Sequence, residues 1–137
     1  MDDVTFIRKT QDAIETRTHI DRRRTEDLIG AVFSALSARL TQKEGENLIS
    51  QLPLSLKNLW RRVAIKRPAF GGQKVDKLSK EEFLAKILET GRLDSPEEAE
   101  FVARCVIHAL KEAIAPGEIR DAAQRLPGDL REFLMAA

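Results

Sequence analysis

Apolar residues recur along this chain at steps of three and four, the spacing that places side chains on one face of an α-helix. Over residues 3–16, Val4, Phe6, Ile7 and Ile14 stand among charges and predict a first helix. Asp21 is placed to cap a long helix running to about residue 40, with Leu28, Ile29, Val32, Phe33, Leu36 and Leu40 on its apolar face. Thr41-x-x-Glu44 has the capping-box pattern, in which two side chains satisfy each other's free backbone N–H groups, and predicts a short helix to Leu52. A second box, Ser79-x-x-Glu82, opens a helix bearing Phe83, Leu84, Ile87 and Leu88, which Gly91 ends. Ser95-Pro96-Glu97-Glu98 joins an N-cap, a proline at the first helical position and two carboxylates beside the positive end of the helix dipole. The helix it opens carries Phe101, Val102, Cys105, Val106, Ala109, Leu110, Ala113 and Ile114, and the Ala-Pro-Gly run at 115–117 should stop it. Helices over 119–126 and 127–134 complete the pattern.

Two stretches echo each other: QLPLSLKNLW at 51–60 and RLPGDLREFL at 125–134. Their Leu-Pro pairs, Leu52-Pro53 and Leu126-Pro127, lie 74 residues apart, and the same offset carries Leu28, Val32, Leu36 and Leu40 onto Val102, Val106, Leu110 and Ile114. Apolar character survives while the polar residues between differ, as in two copies of one packing unit. Proline disfavours helix at the residue before it and suits the first turn of a new one, so each Leu-Pro reads as a corner. The predicted fold is all-α: one domain over 1–137, a helical bundle of two tandem repeats of about four helices each, with Leu36 and Leu110 deep. Repeat one covers 3–62 and repeat two 79–134, joined by a basic connector at 63–78 whose Gly71-Gly72 pair marks a turn.

Composition narrows the function classes. With 42% hydrophobic and 33% charged residues the chain is globular. One cysteine excludes an internal disulfide framework and suits a reducing compartment. No apolar run approaches the roughly 20 residues of a membrane span, and the N-terminus is acidic where a secretory signal is basic, so a cytoplasmic location is expected. Net charge is +1, but residues 1–76 carry 14 Lys/Arg against 10 Asp/Glu and residues 77–137 carry 9 against 12. This mild asymmetry bears on how a partner or a second copy of the chain would be oriented.

A helical core, Leu52-Pro53 followed by Leu56, Leu59 and Trp60, then Glu82-Phe83-Leu84, the acidic run from Glu97 to Glu100, and Leu126-Pro127 together resemble the bacterial domain-of-unknown-function family 2267. The resemblance runs from about Phe6 to Leu134 and rests on packing and capping positions. The connector departs from the family pattern, in which aromatic, Trp-rich stretches are frequent. What the resemblance implies is a helical bacterial cytoplasmic protein, with no catalytic residues to carry over.

The residues able to carry chemistry read best as structural. Cys105 and His108 are three apart on one helix, but no third group orients them and Cys105 follows the apolar pattern. A metal site on His19 and His108 lacks further ligands. The pairs Glu26-Asp27, Glu81-Glu82 and Glu97-Glu98 sit near helix starts, where the dipole already favours negative charge. Gly71-Gly72-Gln73-Lys74 lacks the spacing of a phosphate loop. No catalytic, cofactor or metal site is therefore expected, and the reading is of a non-catalytic interaction or regulatory module. Its partner would be another protein or a second copy, received in a groove between the repeats or on an apolar strip. Candidate interaction residues are Trp60, Arg61, Arg62, Lys66, Arg67 and Phe70, with burial of Trp60 in the first repeat's core as the competing placement. The alternative is nucleic-acid or polyanion binding through the connector and Arg22, Arg23, Arg24 and Lys74, against which stand the absence of Tyr and of any groove-reading helix.

Overall fold

Side-chain oxygens set most of the helix starts, by accepting from backbone N–H groups that the helix itself leaves free. A computed structural model describes residues 1–65 and 79–137. Among them the chain forms eight α-helices and no strand: α1 (Asp3–Glu15), α2 (Arg22–Ala38), α3 (Gln42–Ile49), α4 (Leu54–Val63), α5 (Lys80–Thr90), α6 (Pro96–Ala113), α7 (Pro116–Ala123) and α8 (Gly128–Ala136). Asp21 caps α2 by accepting from the Arg24 N–H at 2.8 Å. Both capping boxes form, Thr41 with Glu44 and Ser79 with Glu82, and Ser95 caps α6 through the Glu98 N–H. The protein is an all-α bundle.

Several boundaries differ from the sequence reading, and α4 runs on through Val63, the first residue of the stretch read as connector. Helix α3 ends at Ile49 and a turn covers the step to Leu52. The Ala-Pro-Gly run at 115–117 does more than stop α6: Pro116 is the first residue of α7, where its missing N–H costs nothing, so the helix expected from 119 begins a turn earlier.

Adding 74 to the first residues of α2, α3 and α4 gives those of α6, α7 and α8: Arg22 and Pro96, Gln42 and Pro116, Leu54 and Gly128. The leading helices obey a different offset, 77, which carries the caps Asp2 to Ser79 and the core residues Phe6 to Phe83. The packing crosses between halves: α1 lies against α2 and α6, α5 against α6 and α2, while α3 meets α7 and α2 touches α6. Leu36 and Leu110 are both deeply buried, as are Phe6, Phe33 and Phe83. Phe33 connects the Phe6 ring, 6.4 Å away centre to centre, with the Trp60 ring at 5.3 Å.

Matching polar ties hold both halves. The Ser55 hydroxyl at the start of α4 donates to Asp3 at 2.9 Å, and the Lys80 N–H donates at 2.9 Å to Asp129 at the start of α8. Across the α3–α7 contact, Gln51 accepts from the Ala115 N–H and Arg125 pairs with Glu44 at 3.1 Å. Residues 51 and 125 are themselves 74 apart, so the same position reaches across from either side.

The last helices break this correspondence. Helix α4 lies on α2, whereas α8 lies on α5 and α7. A small residue at position 30 suits the first: a Cβ there would stand 3.5 Å from both Leu59 and Val63, at ordinary contact distance, so α4 can lie close on α2. The counterpart of Gly30 at the 74-residue offset is Arg104, whose guanidinium lies 5.6 Å from the Phe133 ring of α8.

Two glycines in helix interiors should therefore respond oppositely to alanine. At Gly30 the new methyl meets only ordinary van der Waals contacts, so Gly30→Ala should stabilise by up to about 1 kcal/mol through reduced unfolded-state entropy. At Gly45 it would lie 3.1 Å from the rigid Trp60 ring, and overpacking should cost Gly45→Ala about 1–2 kcal/mol. Urea unfolding of both variants checks this; a shift of the same sign in both contradicts it.

Candidate docking groove

Helix α5 ends in a hydrogen-bond pattern that places an arginine where glycine is usual. The Leu93 N–H donates to the Leu88 carbonyl at 2.9 Å and the Arg92 N–H to Glu89 at 3.2 Å, the paired bonds of a Schellman cap. The left-handed residue of that cap is Arg92, with φ 52°, and not Gly91, which keeps a right-handed conformation. Gly91 is needed for space instead: a Cβ there would stand 2.8 Å from the Ile87 carbonyl oxygen and 3.1 Å from Leu28 on α2. Holding a side-chain-bearing residue left-handed costs roughly 1–2 kcal/mol. The Arg92 carbonyl accepts from the Arg24 guanidinium at 3.2 Å, which ties the end of α5 to the first turn of α2.

Between these two helices and α4 lies an open groove of about 550 Å³. Its floor is Gly30, Ala31 and Ser34 of α2, one wall is Leu59 and Val63 of α4, and Thr90 closes the far side. Arg24, Arg62 and Arg92 stand on the rim together with Glu26 and Asp27. Among the described residues none of the three arginines has a carboxylate partner, whereas Glu26 is held by Arg22 at 3.2 Å. Asp27 lines the same groove.

The structure sorts the candidates read from the sequence. Trp60 is buried, 3% exposed, with its ring against Phe33 and over Gly45, so it serves the core and does not present itself to a partner. Arg61 is committed to Glu46, with Nη2 to Oε1 at 2.7 Å and Nε to Oε2 at 3.1 Å, and this guanidinium holds the Glu46 carboxyl below its usual range. Arg22 pairs with Glu26, and Arg23 is exposed. Arg24 and Arg62 come together on the groove, joined by Arg92, which sequence reasoning missed. Lys66, Arg67, Phe70 and Lys74, with the Gly71-Gly72 turn, lie outside the described residues. A smaller cavity of about 180 Å³ beside Trp60 has Arg61 and Ser37 in its wall, and both are engaged, Arg61 by Glu46 and Ser37 by the Ile65 N–H.

The remaining titratable groups are structural ties. His108 approaches Glu112 at 2.8 Å, and Lys9 reaches the other oxygen of the same carboxylate, joining α1 to α6. His19 is solvent-exposed beside Glu15. Burial pushes the Cys105 thiol up to about 11. Among the described residues no three His, Cys, Asp or Glu side chains are placed to hold a metal ion, and no helix is long and apolar enough to cross a membrane.

A raised folded-state pKa keeps Cys105 protonated and unreactive through the neutral range. Iodoacetamide near pH 8 should leave the native thiol unmodified and label it on addition of denaturant. Labelling of the native protein at the rate of a free thiol would contradict this placement.

Comparison with curated proteins finds none that matches the chain. A family model described as an uncharacterized conserved protein does match, over residues 4–133, which takes in every helix from α2 to α7 and most of α1 and α8. On that match, the chain belongs to the DUF2267 family.

Proposed function

We propose that the protein is a non-catalytic interaction module, and that the groove between α2, α4 and the end of α5 receives a segment of a partner protein. The observation that carries this is the make-up of the groove: a floor of small residues, an aliphatic wall and three guanidinium groups that have no carboxylate partner among the described residues. A surface of this kind offers close backbone approach in its middle and charge recognition at its edges, which is how a helix seats between helices. It also spans both halves of the chain, because α2 and α4 precede the connector and α5 follows it.

Nucleic-acid binding is the second reading, favoured by Arg24, Arg62 and Arg92 on one rim. Two carboxylates on that rim count against it, since phosphates would have to approach Glu26 and Asp27.

Ser34→Trp separates the readings. The position is half-buried on the groove floor, and a thermal melt compared with the parent's checks that the variant keeps the fold. Tagged protein and variant are used to capture partners from extracts of the host, at low and high salt, with and without nuclease. One near-stoichiometric protein that survives nuclease and is lost with Ser34→Trp is expected. Partners retained in full by the variant, or recovery abolished by nuclease, would contradict the proposal.

A further inference from the structure

We draw no further inference here: the strongest candidate, the open cleft where the end of α1 meets the first turns of α2 and α6, lined by Ile14, Leu28 and Val102 with His19, Arg24 and Glu98, carries nothing because nothing in the structure shows what covers it.

Discussion

The structure depends on leading helices that each pack against the long helices of both halves. Helix α1 covers the long helix α6, and α5 covers the long helix α2, so neither long helix completes its burial within its own half. The side chains that accomplish this are among the largest in the core, Phe6 and Phe83 on the leading helices and Leu28, Phe33, Ile107 and Leu110 on the long ones. Apolar burial is nondirectional and would tolerate several arrangements. The polar ties restrict them: Gln51 to Ala115 and Arg125 to Glu44 hold α3 to α7, while Ser55 to Asp3 and Lys80 to Asp129 fix where α4 and α8 begin.

On this shared frame, a few residues make the halves behave differently. The small Gly30 sits where α4 lies on α2, whereas Arg104 at the corresponding position lies over Phe133 of α8, which packs on α5 and α7. The groove follows from the first of these contacts. With α4 drawn close, Leu59 and Val63 become its wall, and the end of α5, pulled against α2 through the bare Gly91, brings Arg92 beside Arg24. Arg24 of α2, Arg62 of α4 and Arg92 in the turn after α5 thereby line one groove.

Much of this architecture was legible in the chain, because it rests on local rules. Asp21, Thr41, Ser79 and Ser95 cap where their side chains say they should, since an N-cap needs only its own next turn. The 74-residue offset lines up buried positions of the long helices, Leu28 with Val102 and Leu36 with Leu110. What escaped were features set by contacts distant in sequence. Gly91 reads as the left-handed end of α5, yet it keeps a right-handed conformation and Arg92 takes the left-handed one. The leading helices obey an offset of 77, so matching them needs the register of Phe6 and Phe83 in the core. Arg61 and Arg62 look alike in the chain, but one is turned toward Glu46 and the other toward the groove, a distinction made by the rotation of α4.

Hydrogen exchange followed amide by amide under increasing denaturant tests the cross-half packing most directly, because it measures the opening free energy of each helix separately. If the packing of the leading helices against both halves holds the molecule together, the most protected amides of α1, α2, α5 and α6 should converge on one common free energy, that of global unfolding. Opening of α1 and α2 at a clearly lower free energy than α5 and α6, or the reverse, would show that one half stands without the other and would contradict it.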